Sequence, residues 1–400
     1  GSIFTIDANT YVEASHNVTA VDLRQWGSIP NFNSETFDRN IPSNITDNNS
    51  HPAFQAALDF LAASPMPRAG GVRGLNVYGH ILVSGTLNFK PTEDAFLNVH
   101  GYDDAHIYGD NDGQLGLHTF DIELEAIHFQ DIFFYGVGNY QDRGELWKND
   151  AIVHVKNGHG AGDVGRGATF IGGGAGSVDF LLGIIPTDIS VEEPPFTGDE
   201  KVYATLEGSL RRYLMTGMSF DNAKPIAILE PENFAGTGAG VSGIEQWIND
   251  INISSCELID CSTLIRDVST SKNSRIIGAV FSNLTGLANY RFSFLDVPYI
   301  KDCTISNVMG MYDNVDTPTV LTEHTDEWIT CKEIDGLNVD NVTVRNLSDT
   351  FIYASESTKN INISNLRLRG SGLSANKIIS TEVGKVHHKS SADDQYSVGT

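Results

Sequence analysis

The sequence predicts an all-β fold: a right-handed, single-stranded parallel β-helix with three short strands per coil and an N-terminal capping helix. Two observations carry this expectation. A short apolar line recurs along the C-terminal half at intervals of about 24 residues, and long stretches of helical period are missing, which sets aside helical repeats. Glycine is frequent, 39 residues against 13 prolines in 400, which suits strands joined by many turns.

The line reads apolar, any, small or polar, apolar, any, apolar, any, and then usually Asn or Asp. It appears as Ile253-x-Ser255-Cys256-x-Leu258-x-Asp260 and Ile276-x-Gly278-Ala279-x-Phe281-x-Asn283. It returns as Ile300-x-Asp302-Cys303-x-Ile305-x-Asn307, Val339-x-Asn341-Val342-x-Val344-x-Asn346 and Ile363-x-Asn365-Leu366-x-Leu368-x-Gly370. Upstream, Met215-x-Gly217-Met218-x-Phe220 and Phe129-x-Asp131-Ile132-x-Phe134 fit the same pattern. Alternation at period two is a half-buried strand. The polar residue between two apolar groups breaks the phase, so the chain bends there while both sides still point inward. Asn, Asp, Ser and Gly tolerate such a bend. A repeat of about 24 residues at roughly 3.3 Å each makes one coil, and stacked coils pair at about 4.8 Å.

Ahead of the coils, Thr19 to Leu23 reads as a strand within a polar, turn-rich stretch. His51 to Leu61 has apolar residues at helical spacing with Pro52 in the first turn, so it reads as the capping helix. Leu75 to Leu87 reads as paired strands. The expected organisation is a leading segment with the helix over 1–70, the β-helix over 71–370 and a C-terminal cap or tail over 371–400. Inserted loops are expected at 138–215, 231–247 and 313–335.

Charge and composition exclude several functions. Lys and Arg number 26 against 51 Asp and Glu, a net charge of −25, which opposes nucleic acid or an anionic membrane as partner. No apolar run is long enough to span a bilayer. The four cysteines, 256, 261, 303 and 331, form neither a disulfide framework nor a zinc spacing and read as core filler. Asn residues in glycosylation-type triplets read as turn formers, Gly172-Gly173-Gly174 as a turn rather than a phosphate loop. No cofactor and no metal site is expected, since His154, His159, His387 and His388 lack a third ligand at a sensible spacing.

Carboxylates are the better lead. Counting eight to ten residues from the last apolar residue of each line reaches the next strand. That count puts Glu230 and Asp267 on adjacent rungs, at a spacing suited to the roughly 5 to 9 Å of glycoside hydrolysis. Arg266, Tyr290 and Arg291 fall on the same strip as substrate-positioning groups. Asp313, Asp326 and Glu327 are further catalytic candidates, and Trp247, Tyr312 and Trp328 are candidate sugar platforms.

The run Ala20 to Gly27, the spacer to Asp47-Asn48, Ala53 to Asp59 and then Val83-Ser84-Gly85-Thr86-Leu87 resembles the leading segment of pectate-lyase-like β-helix proteins. It is similar to the form found in bacteriophage tailspikes and capsule depolymerases. A glycine-rich "GDG" is usual after the first strand; here a long Asn, Ser and Asp stretch replaces it. The resemblance implies a homotrimer on the phage virion that binds and cleaves capsular or O-antigen polysaccharide. Gly1-Ser2 reads as a tag-cleavage scar, with a natural virion-attachment region expected ahead of it. A polysaccharide lyase and a non-catalytic glycan-binding spike or adhesin are the alternatives.

Overall fold

The computed structural model describes residues 3–7, 10–13, 20–37, 41–63, 72–89, 96–110, 119–123, 126–136, 151–156, 167–185, 211–221, 223–229, 246–259, 261, 263–269, 274–287, 293–311, 327–345, 350–369 and 377–381. Apart from an N-terminal hairpin, Ile3–Asp7 against Thr10–Glu13, its strands join in one sheet whose rungs all pair in parallel. The chain is a right-handed parallel β-helix.

Three columns of strands wrap one apolar core. The first runs through Val99, Phe129, Phe170, Met215, Ile253, Phe281, Ile305, Val339 and Ile363, each beside the next. The second runs through Phe134, Ala175, Phe220, Leu258, Gly286, Gly310, Val344 and Leu368. The third runs through Leu182, Ile226, Ile265, Leu295, Ile329, Ile352 and Ile379. Inward residues of all three columns belong to one continuous cluster, so each coil is stabilised mainly by its neighbours.

Bends fall at the small or polar residue inside each line, including Gly278 and Asp302, and also at Asn283 and Asn307, which the sequence line placed at its end. Ser255, Asn283, Asn307, Asn341 and Asn365 all take φ between 51° and 54°. Asn is among the few residues that enter this left-handed region readily. The bends also form a ladder, because the Asn341 amide donates to Asn307 at 2.8 Å and the Asn307 amide to Asn283 at 3.2 Å.

Two of the five lines take a different frame. Ile276 and Ile300 pair with each other and with Ile248 and Ile334, not with Ile253. The residues that stack under Ile253 are Phe281 and then Ile305. The coils from residue 246 onward carry two successive bends, as at Asp250 and Ser255 or Gly278 and Asn283. Where Ile276 and Ile300 lie, the second ends in Gly286 or Gly310 rather than an apolar residue. Cys256 and Cys303 are therefore on neighbouring bends, not equivalent ones. All four cysteines are free and buried, as core filler should be.

The helix α2 (His51–Ala63) buries Ala53, Phe54, Ala57, Leu58 and Leu61 over the first coil. Its Gln55 amide accepts from the Asn88 backbone N–H and donates to the Asn88 carbonyl, both at 2.8 Å, occupying the edge that another strand would otherwise pair with. A shorter helix, α1 (Pro42–Asn48), lies in the stretch read as turns, with proline in its first turn. Ala20–Asp22 is the expected strand and pairs with Gly74 to Asn76. Leu75 to Leu87 does not pair with itself. It forms Val72–Ser84 and Leu87–Phe89, which pair with the next coil.

The segments expected as loops carry strands of their own. Ala151–Lys156, Ala168–Ile171, Gly174–Gly176 and Phe180–Ile185 form a coil inside 138–215. Gly172 and Gly173 make its bend at φ 67° and 71°. In the final stretch, Lys377–Thr381 extends the third column. Among the described residues no helix is long and apolar enough to cross a membrane.

Candidate functional site

The outer face of the third column carries the strip on which the carboxylates were expected. In register it reads Ala227, Arg266, Asp296, Thr330 and Tyr353. The Arg266 Nε lies 3.3 Å from Asp296 Oδ2, so this cation is paired with a carboxylate one rung on, at partial exposure. Tyr290 and Arg291 lie outside the described residues, and the position beside Arg266 is held by Asp296. The count that put them there starts at Phe281, one bend too early. Counted from Gly286 it reaches Leu295 and Asp296, which pair with Ile265 and Arg266.

Asp267 ends the strand Ile265–Asp267, in register with Ile228 of the adjacent rung. Its side chain turns inward and is 0% exposed. Oδ1 accepts the Ser269 N–H at 2.9 Å and the Ser269 hydroxyl at 2.5 Å, and Oδ2 accepts the Ser274 hydroxyl. Asp267 therefore braces the corner leading to the next coil, and substrate cannot reach it in this conformation. Glu230 lies two positions beyond Ile228, outside the described residues, as do Tyr312, Asp313 and Asp326.

Trp328 is not a sugar platform. It is 1% exposed and sandwiched between Phe294 and Phe351, with ring centroids at 4.3 and 4.7 Å, so both faces are covered. Glu327, half-buried, opens its strand beside Thr350. Trp247 stands beside Arg275 in the Ile248–Ile276 register, one bend ahead of the first column.

A second cluster lies on the outer face of the first coils, on residues that the sequence reading did not single out. Alternation buries Leu75, Val77, Val99 and Ile107 and leaves Tyr78, His80, His100, Tyr102 and His106 outward. Tyr78 pairs with Tyr102 and His80 with His106, so the upper coil has two extra residues between those pairs. The extra length is a bend in which Asp103 and Asp104 take φ of 51° and 57°. It holds the Asp104 carboxylate 3.5 Å from His80 Nε2 and 3.2 Å from His106 Nε2. The two imidazoles stack at 4.1 Å with 6° between their planes. Beside them, Tyr102 stacks on Tyr78 and on His100, whose Nε2 is 3.6 Å from Asp131. The Arg24 guanidinium covers the Tyr78 ring at 3.5 Å.

Burial pushes the His106 imidazole below its ordinary pKa, and its neighbour His80 pushes it further. Asp104 is held below the usual carboxylate range, first by the charge of His106 when protonated and then by the hydrogen bond from His80. The neutral ring of His106 satisfies both of its contacts if Nε2 donates to Asp104 and Nδ1 accepts from the Tyr108 hydroxyl at 3.3 Å. The sequence signal was available: aromatic residues occupy outward positions at period two in Tyr78-Gly-His80, His100-Gly-Tyr102 and His106-Ile-Tyr108.

No protein-family model matches the chain, and no curated protein sequence does. The chain resembles tailspike-like parallel β-helix proteins. One such structure is Pantoea stewartii WceF, described as a glycan biofilm modifying enzyme with a bacteriophage tailspike-like parallel β-helix fold. It shares 12% identity over 90% of this chain and 43% of its own, with a TM-score of 0.40. The Dettilon tailspike protein gp208 shares 9% identity over 87% of this chain and 70% of its own, with a TM-score of 0.32. The Yersinia enterocolitica family 28 exopolygalacturonase shares 12% identity over 93% of this chain and 79% of its own, also at 0.32. The chain thus spans less than half the length of WceF. At these identities and scores the likenesses carry no argument about chemistry, and the fold rests on the strand register.

Proposed function

We propose that this chain is a tailspike-type depolymerase that binds and hydrolyses a bacterial surface polysaccharide, capsule or O-antigen. The observation that carries the reading is the outward stripe of Tyr78, His100, Tyr102, Asp104, His106 and Asp131 on the first coils. Aromatic rings with neighbouring carboxylates and imidazoles suit sugars, which offer apolar C–H surfaces and many hydroxyl donors. Glu230 is the proposed general acid. Its second carboxylate is sought among Asp313, Asp326 and Glu327, because the Asp267 carboxyl is enclosed by Ser269 and Ser274. A homotrimer on the virion is the proposed setting, and the net charge of −25 opposes a nucleic-acid partner.

The enclosure of Asp267 favours a second reading, a spike that holds glycan without cleaving it. A lyase is the third, with a base and a cation to stabilise an enolate. The test is a panel of purified capsule and O-antigen polysaccharides, scored for retention by the protein and for ultraviolet absorbance of any product. Retention that falls in Tyr102→Ala supports the stripe; retention unchanged in that variant, or no retention of any glycan, contradicts it. Absorbance at the unsaturated product would assign a lyase.

A further inference from the structure

We propose that His80, Asp104 and His106 form a binding site for a divalent transition-metal ion of the zinc class, which bridges the first two coils. One ligand atom from each of the three residues lies within 4.8 Å of the other two. The two imidazole–carboxylate separations, 3.5 and 3.2 Å, are long for charge-assisted hydrogen bonds, which run to about 2.9 Å. They run to different carboxylate oxygens, Oδ2 toward His80 and Oδ1 toward His106. An ion with bonds of about 2.0 to 2.2 Å, the range for His nitrogen and carboxylate oxygen on zinc, is therefore held once one oxygen turns between the two rings.

The donor set points the same way. Two imidazoles and one carboxylate suit zinc, cobalt, nickel or copper, whereas calcium and magnesium take oxygen ligands. His106 also has the outer contact that ligating histidines usually have. Its Nδ1 meets the buried Tyr108 hydroxyl at 3.3 Å; on ligation the ring proton moves from Nε2 to Nδ1, which then donates to that hydroxyl oxygen and orients the ring. The coil bend lengthened by Asp103 and Asp104, both at positive φ, is what carries the third ligand over the two rings. The imidazole planes lie within 6° of parallel and both Nε2 atoms lie near the Asp104 carboxylate, so capture of the ion turns the more exposed His80 ring toward it while Tyr108 holds His106. Water completes the coordination at this partly exposed position.

The inference does not depend on the polysaccharide reading, since its readout is metal alone. The full chain is titrated with Co2+, followed by visible absorption, and with Zn2+ in competition by calorimetry. The expected result is one equivalent bound with cobalt bands of a four- or five-coordinate site, displaced by Zn2+ but not by Ca2+ or Mg2+. His80→Ala and Asp104→Asn should each remove the bands, and Tyr108→Phe should weaken binding roughly tenfold or more. Asp104 is 71% exposed, so Asp104→Asn leaves packing intact and guards against a folding artefact. A double variant, His387→Ala with His388→Ala, should leave the equivalent unchanged. Absence of cobalt bands, or an equivalent that survives both His80→Ala and Asp104→Asn, overturns the proposal.

Discussion

The Asp267 carboxylate accepts a hydrogen bond from the Ser274 hydroxyl across the corner between one coil and the next, with both side chains fully buried. A carboxylate at the end of the third strand thus serves the turn that follows it. Asp267→Ala leaves the Ser269 N–H and both hydroxyls without this acceptor. It should lower unfolding stability by about 1 to 3 kcal/mol, measured by urea titration, with Ser274→Ala less damaging. An Asp267→Ala protein as stable as the parent would contradict the brace.

Trp328 tests the core ladder. Removing a ring stacked on both faces leaves a cavity, so Trp328→Ala should cost about 3 to 5 kcal/mol. Near-ultraviolet circular dichroism should lose intensity from the Phe294, Trp328 and Phe351 stack. A small stability change with loss of glycan retention would return Trp328 to the role of sugar platform.

The bend ladder makes a prediction about backbone. Asn341 sits at φ 51° and donates to Asn307. Asn341→Gly keeps the conformation and loses the ladder bond, while Asn341→Ala loses both, at a further cost of about 1 to 2 kcal/mol. Equal melting temperatures for the two variants would contradict the assigned bend.

The cysteines should be silent. Burial pushes the Cys261, Cys303 and Cys331 thiols up to about 12, and it raises Cys256 as well. Thiols with pKa values this high stay protonated through neutral pH, and the thiolate is the reactive form. An aromatic disulfide reagent should therefore label none of them in the native protein and all four in denaturant. Rapid labelling of any thiol in the folded chain would argue against its packing.

The fold was legible because its cause is local: period-two apolar alternation broken by Asn, Asp, Ser or Gly dictates strand, bend and strand. Register was less legible. Ile248-x-Asp250-Ile251-x-Ile253-x-Ser255-Cys256-x-Leu258 spells the same pattern twice in succession, so text alone does not say which bend stacks on which. Cross-coil hydrogen bonding decides it, and Gly286 and Gly310 hide the answer by standing where an apolar residue was expected. A Cβ on Gly286 would come within 2.7 Å of the Leu258 carbonyl oxygen, which explains why glycine occupies that place.

The same slip moved Tyr290 and Arg291 onto a strip that Asp296 occupies. The histidine cluster escaped notice for another reason. His80 and His106 are far apart in sequence, and a two-residue lengthening of one bend, invisible without the register, brings Asp104 to both.

Size loss of a purified bacterial polysaccharide, followed by gel filtration after incubation with the chain and with Glu230→Gln, tests the central claim most directly. The account predicts that one capsule or O-antigen glycan is shortened by the parent protein, without an ultraviolet-absorbing product, and is bound but left intact by Glu230→Gln. A glycan that is bound and never shortened, or one shortened equally by Glu230→Gln, would contradict it.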